Sequence, residues 1–497
     1  MARYVMANRR AGKFQEIEKK ASRAAIESGF TRLFAGNVDI VNDRNPADAL
    51  ARRVVVFDAE PAEVAAKAPT LSSDVIVEAE ILHFPTSFVA GVDAAAVLDM
   101  PLAGPQVTFL ALVTGNGAPL AGAQVILFAV DQFNQQKRMT QVTDSTGAAN
   151  FSLAATLRTV GVIVEPAGGF WSMVFRNAAS GVPMDCLPIA DVGAIDWWHT
   201  RIGIQQFDVQ RGAGIKVGVI DTGAGPHGCL AHVVSVGAFI NGAHDPAGGA
   251  DVDSHGSHTT GTIGARPTRP SQRGGIAPGA SMFIARVFPG PEIGASQADI
   301  ANALDELSRE RRVDLINMSL GAPRPSDIEL DAIRDALQRG TLCVCAAGND
   351  GGAVGWPAAF PEAVAISAVG LKGSVPTGSI SALSVPTDPS RFGKDNLYLA
   401  DFSNFGPEVD CCTPGVGIVA TVPERFGLTE PYAAMDGTSM ASPVACGALA
   451  ALLAESPSYK TLTGSARAEE ARTILSAHCR SIGLAAALQG LGMPQVP

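Results

Sequence analysis

A chain of 497 residues, 47% hydrophobic and 17% charged, carries enough apolar material for sizeable cores and is not wholly disordered; at roughly 150 residues per domain it suggests about three domains. Its net charge of −11, without a lysine or arginine run, argues against a nucleic-acid partner. The opening MARYVMANRRAGKFQEIEKK lacks the apolar core of a secretory signal, and the longest apolar stretch, around 444–454, is too short to span a bilayer. No membrane span and a cytoplasmic location are therefore expected, with export by another route left open.

Three textures follow one another. Residues 1–90 alternate strand-like and helix-like segments: RYVMANR, FQEIEKKASRAAIESGF, RRVVVFD, AEPAEVAAKAP and DVIVEAEIL. Residues 104–185 show short strands such as VTFLALV, AQVILFAV and TVGVIVEP, parted by GNGAPLAG and DSTG turns, which predicts a small antiparallel β-sandwich. From about 190 onward, IKVGVI, SMFIARVF, VDLINMSL and TLCVCAAG alternate with helical stretches such as SQADIANALDELSRE and SDIELDAIRDALQRG. That alternation predicts right-handed βαβ units and a parallel sheet. The third region is assigned residues 195–497.

Eight cysteines, with no export signal, are expected to be reduced and buried. Cys343 and Cys345 alternate on one apolar strand, Cys411 and Cys412 are adjacent, and no C-x-x-C pair or interleaved histidine suggests a metal.

In a parallel sheet, function collects at the carboxyl ends of the strands. Those ends are Asp221, then Ser319-Leu320-Gly321, then Gly348-Asn349. DSHGSHTTGTIGA places His255 and His258 at the start of a helix, and DGTSMASPVACGALAALLA places Ser439 at the start of another, where free N–H groups favour a developing anion. The stretch VGVIDTGAGPHG allows three readings. Gly223, Gly225 and Gly228 match a dinucleotide-binding G-x-G-x-x-G, with Asp245 at roughly the spacing of a ribose-binding acid, but this leaves HGSH and GTSMASP unexplained. DTG also occurs in aspartic proteases, yet no second D-[ST]-G exists to supply the paired carboxylate. The third reading, Asp221 serving His255 and Ser439, accounts for every motif.

VGVIDTG, HGSHTTGTIGA, NMSLG, AAGND and GTSMASP together resemble the signature set of the subtilisin-like serine proteases, the subtilases. WPAAFPEAVAISAVG and FSNFGPEVDCCTPG resemble that family's intervening segments, and the order Asp…His…Ser is its order. The resemblance implies an α/β fold, a parallel sheet flanked by helices, and a serine endopeptidase. In that reading Ser439 is the nucleophile, His255 the general base and Asp221 its orienting acid, with Asn349 and the Ser439 N–H as oxyanion donors. Ser319, Leu320 and Gly321 would pair with substrate backbone as an added strand, with Gly348 also at the substrate side. His258 is expected to be structural.

Departures matter as much. TGAGPHGCLAHV lacks the second aspartate many subtilases carry, and ARPTRPSQRGG lacks the asparagine-rich calcium-binding loop of secreted relatives. No cofactor is expected, and a strong calcium site at that place is not. The insertion from about Leu371 to Tyr398 is a candidate rim of the cleft. Residues 1–90 resemble the family's inhibitory propeptide, a small ferredoxin-like α+β domain, which implies that HFPTSF lies near Ser439 and that cleavage falls between about Phe84 and Met100. The 104–185 segment resembles carboxypeptidase-regulatory-like sandwiches. The expected partners are a protein or peptide substrate and the chain's own N-terminal domain. The rival reading is a subtilase-fold binding protein with an occluded or inactive triad.

Overall fold

The computed structural model describes residues 1–10, 23–29, 31, 38–46, 48, 50–86, 106–133 and 135–497. Four strands, β1 (Ala2–Asn8), β2 (Asp39–Arg44), β3 (Val54–Ala59) and β4 (Val75–Ala79), form an antiparallel sheet in the order β2-β3-β1-β4. Side chains alternate across a strand, so VVVF serves two cores. Val55 and Phe57 point to one face, with Met6, Ile26 and Val64 of the helix Pro61–Lys67. Val54 and Val56, with Val5, Ala7 and Ile76, point to the other, where they join the core of the large sheet's flanking helices. Of the helix expected over FQEIEKKASRAAIESGF, residues 23–29 are helical; residues 14–22 and 30 lie outside the described residues, as does the linker 87–105.

Between 106 and 186 two four-stranded sheets enclose one core. Gln106–Gly115 and Ala148–Ala154 contribute Phe109, Ala111, Val113, Phe151 and Leu153; Gln124–Val130 and Arg158–Glu165 contribute Val125, Leu127, Val162 and Val164. The DSTG turn is built as its residues dictate. Asp144 Oδ1 accepts from Thr146 N at 2.8 Å and Ala148 N at 3.1 Å, and Gly147 adopts φ +74° where an added Cβ would meet Val113 O at 2.4 Å.

The third region is a nine-stranded mixed sheet. Val234–Ile240, Ser281–Arg286, Lys216–Asp221, Leu315–Met318, Leu342–Ala346, Val364–Leu371 and Val409–Pro414 run parallel; Ala243–Asp245 and Leu397–Leu399 add antiparallel pairs. Alternation again divides the strands between two cores. Leu315, Leu342 and Val344 face the helix Thr438–Glu455 and its neighbours. Ile316, Met318, Cys343 and Cys345 face the helices Gln297–Asp305 and Asp327–Arg339. The sequence underestimates the apolar span ending near residue 454. The helix begins at Thr438, and its 18 residues are long and apolar enough by composition to cross a membrane, yet 94% of them are buried inside the molecule.

The Leu371–Tyr398 insertion pairs with a neighbour that its sequence does not indicate. Gly378 O accepts from Val174 N and Ile380 N donates to Ser172 O, both at 2.9 Å, so the insertion clasps the sheets of residues 106–186. Backbone groups at a strand edge need partners, and these two segments supply them to each other.

Candidate active site

Asp221 closes the strand Lys216–Asp221 and is fully buried. Its carboxylate has three donors: His255 Nδ1 at 2.7 Å and Thr222 N at 2.7 Å on Oδ1, and Thr259 Oγ1 at 3.0 Å on Oδ2. The glycine-rich turn that follows is structural. Gly223 takes φ +105°, where a Cβ would meet Gly249 and Ala250 carbonyls within 2.7 Å. Only the three-residue 3₁₀ turn Gly228–Leu230 comes after it, so no helix N-terminus is offered to a dinucleotide, and Asp245 caps its own turn through Ala247 N.

His255 opens the helix His255–Gly264. Burial works against its charge, but Asp221, by proximity and hydrogen bond, and then Asp253 and Asp251 outweigh burial and hold its pKa above the ordinary imidazole value. Asp251 also organises the loop before it, accepting from Thr222 Oγ1 at 2.8 Å and from Ser257 N and Oγ at 2.9 and 2.6 Å. The sequence reading passed over this aspartate; the acidic pair immediately before HGSH was its available signal. His258 is buried, pushed down to about 4 chiefly by desolvation, and its Nε2 meets Ile418 O at 2.9 Å. It is neutral and structural, as expected.

Ser439 lies in the first turn of the helix Thr438–Glu455. A fifth strand, β5 (Leu82–Pro85), lies beside it, pairing antiparallel with Ala295–Ser296 on one side and Leu320–Gly321 on the other. Gly321 sits opposite Phe84, and a Cβ there would come within 3.1 Å of Thr86 Cγ2, so the strand packs closely at this position. Two donors converge on the Thr86 carbonyl oxygen: Ser439 N at 3.2 Å and Asn349 Nδ2. Asn349 is fixed by Thr438, whose N and Oγ1 each donate to Asn349 Oδ1 at 2.9 Å. A negative charge developing on an oxygen at this point would be stabilised by both donors without reorganisation.

The structure thus brings Asp221 to His255, and Ser439 to Asn349, Ser319, Leu320 and Gly321. It does not make a Ser439–His255 hydrogen bond. Ser439 Oγ is 2.6 Å from Thr86 Oγ1 and donates to Ser319 O at 3.0 Å, while His255 Nε2 has no partner among the described residues. The Thr86 hydroxyl competes for the serine oxygen, a contact that motif spacing cannot reveal. Gly348, expected at the substrate side, has both backbone groups engaged within the protein. Its N–H donates to Thr438 Oγ1 at 3.0 Å and its carbonyl accepts from Asn404 N at 2.9 Å, so neither is free to pair with a peptide backbone.

The eight cysteines are free and buried, and burial raises the Cys343 thiol to about 12, far from a reactive thiolate. Among the described residues no group of three or more His, Cys, Asp and Glu is placed to hold a metal.

Residues 212–492 match the Subtilase family. Subtilisin DY of Bacillus licheniformis is 30% identical over 278 residues, covering 55% of this chain and 86% of that protein. The major intracellular serine protease of Bacillus subtilis (strain 168) is 34% identical over 254 residues, 48% of this chain and 68% of the relative. Subtilisin Savinase of Lederbergia lenta is 32% identical over 252 residues, 50% of this chain and 80% of the relative. The chain belongs to the subtilase family and is a serine endopeptidase, acting on protein or peptide substrates.

Proposed function

We propose that Asp221, His255 and Ser439 hydrolyse peptide bonds and that residues 1–86 hold this site in check. The observation that carries the proposal is the seating of Thr86: its carbonyl oxygen accepts from both Ser439 N and Asn349 Nδ2 at the end of a strand paired on both sides. A substrate following the same path would present its scissile carbonyl where that of Thr86 lies. Ser439 Oγ, turned from Ser319 O towards His255 Nε2, attacks the carbonyl carbon as the imidazole takes its proton. Asp221 fixes the tautomer and stabilises the imidazolium. The oxyanion rests on the Ser439 N–H and the Asn349 side chain. His255 then protonates the leaving nitrogen, and water, deprotonated by the same imidazole, releases the acyl group from Ser439.

The same geometry supports the inhibitory reading. The strand order β2-β3-β1-β4 is that of a ferredoxin-like α+β unit, and the two sheets of residues 106–186 suit a β-sandwich module. A tethered strand has an effective concentration that can reach the millimolar range, so modest intrinsic affinity suffices to block the cleft. The bond that follows the seated carbonyl is Thr86–Ser87, and cleavage there would fall inside the window expected from the sequence.

Incubating the full chain with casein, labelling it with a fluorophosphonate and mapping new termini by mass spectrometry tests both readings. Labelling at Ser439 and a new N-terminus at Ser87 are expected. No labelling of Ser439 after residues 1–86 are removed would overturn the triad assignment and favour a binding protein with an inactive triad. Labelling with no latency and no cut would overturn inhibition alone.

A further inference from the structure

The seated strand places one side chain in full burial, and that side chain is polar. His83, the fourth residue before the Thr86–Ser87 bond, is 0% exposed, whereas its neighbours Leu82 and Phe84, on the opposite face, are 40% and 46% exposed. His83 Nε2 lies 3.0 Å from Oε2 of Glu329, itself 0% exposed. The register Ala295 opposite His83 and Leu320 opposite Pro85 holds this side chain between both flanking strands, so any peptide adopting the same path delivers its fourth residue to Glu329.

Glu329 has no evident structural duty. It occupies the third position of the helix Asp327–Arg339, from which an acid commonly reaches back to the capping residue. Here the start of the helix is served by others. Ser326 Oγ accepts from Glu329 N at 3.1 Å, and Glu78 of β4 accepts from Ser326 Oγ and from Asp327 N at 3.0 Å. The Glu329 carboxylate turns instead to His83, and its Oε1 has no partner among the described residues. Once residues 1–86 leave, water can reach the Glu329 carboxyl group, and a side chain that fills the place of His83 displaces that water and buries the group again. A substrate side chain must then satisfy it, because a buried acceptor left without a partner is strongly unfavourable.

We infer that Glu329 sets specificity at the fourth residue before the scissile bond, selecting histidine or lysine, which carry N–H donors, over apolar and acidic side chains. The inference rests on the reading that substrates follow the path of residues 82–86. It concerns a residue that touches substrate for selection and takes no part in bond breaking.

The test uses the full chain after incubation, with active sites counted by the fluorophosphonate, and quenched peptides Xaa-Phe-Pro-Thr-Ser-Phe in which Xaa is His, Lys, Leu or Glu. Wild type should cleave the His and Lys peptides with kcat/KM about 10- to 100-fold above the Leu peptide, with the Glu peptide lowest. Glu329→Leu should reverse the order of Leu and His. Glu329→Gln, which keeps shape and an acceptor, should retain His over Leu and lose the advantage of Lys. The wild-type panel decides the matter even if Glu329→Leu does not fold: equal rates for His and Leu, or Leu ahead, would overturn the role of Glu329 while leaving the triad standing. No cleavage of any peptide, with Ser439 unlabelled, would overturn the triad reading and this inference together.

Discussion

The N-terminal sheet lays Val5, Ala7, Val54, Val56 and Ile76 on the helices of the large sheet and adds two fully buried arginines. Arg10 meets Asp305 at 3.2 Å and Asp335 at 3.0 Å, and Arg52 meets Asp305 at 3.3 Å and Asp331. Burial opposes the Arg52 charge, but Asp305, Asp331 and Asp335 together raise its pKa above the ordinary value. The sheets of residues 106–186 are attached differently. Their core takes in Val419 and packs against Val375 and Ala434, and Gly169 N donates to Tyr432 O at 2.7 Å. One attachment is apolar with a charged centre; the other is a shared core stitched by backbone hydrogen bonds. A buried ion-pair cluster adds little net stability while intact but is strongly destabilising when one member is lost. A shared apolar core distributes its stabilisation over many contacts. The first kind of interface can be undone at a single point, and it is the one whose tail occupies the cleft.

The sharpest test asks whether that tail is seated in a working site. Ser439→Ala should lower peptide hydrolysis at least about a thousandfold and abolish the cut after Thr86, with the thermal midpoint little changed; the roughly million-fold figure for such a loss was measured on a subtilisin, a relative of this chain. Peptide hydrolysis near wild-type rate would remove the reason for comparing a tethered tail with a bystander module. Asn349→Leu should reduce kcat by about 10² to 10³ with KM little altered, a magnitude also taken from a subtilisin. A rise in KM at constant kcat would make Asn349 a binding group instead.

The comparison itself is broken or upheld by a pair of substitutions. Arg52→Met should weaken docking of the N-terminal sheet by up to about 3–5 kcal/mol, because the buried carboxylates of Asp305 and Asp331 lose one of their cationic partners. In the full chain, residues 1–86 should be digested sooner and activity should appear earlier, while the protease melts as before. Trp171→Ala removes a nearly buried ring beside Gly417 and should cost about 3–5 kcal/mol, lowering the melting midpoint without shortening the lag. Reversal of those two phenotypes would mean that the sandwich, and not the N-terminal sheet, controls access.

The smallest effect concerns pH. His255 must be neutral to accept a proton, and its pKa is raised by Asp221, Asp253 and Asp251 against burial. Activity is therefore present above that raised value and lost as pH falls through it, so the acid limb should lie above about 6.5. Asp253→Asn removes one charge favouring the imidazolium and should move the limb down, raising the rate at pH 6.5 about twofold. A limb that moves up, or not at all, would detach Asp253 from the site.

Much of the site was legible because its residues end parallel strands or begin helices. Asp221, Asn349 and Ser439 fall at such points, and strand periodicity with the following turn residues marks them locally. The hydrogen bonds of Asp251, the Gly348 backbone bonds and the Ser439 Oγ orientation were not legible. Each depends on a partner brought from elsewhere, and aspartate before a helix or glycine after a strand has many ordinary uses.

What the sequence by itself determined is the order of the three regions, the alternating strands and helices, and the five motifs that place Asp, His, Asn and Ser along one sheet edge. These follow from side-chain periodicity and from chemistry that needs particular residue types at particular strand ends. Only the tertiary structure decided that, within HFPTSF, it is Thr86 that meets Ser439, that His83 meets Glu329 across 246 positions, and that the insertion pairs with residues 172–174. The sequence marks HFPTSF as a segment but assigns no separate task to its threonine or histidine, and Glu329 is unremarked. Their significance comes from desolvation and hydrogen bonding, which act only after folding has brought the two surfaces together and excluded water from between them.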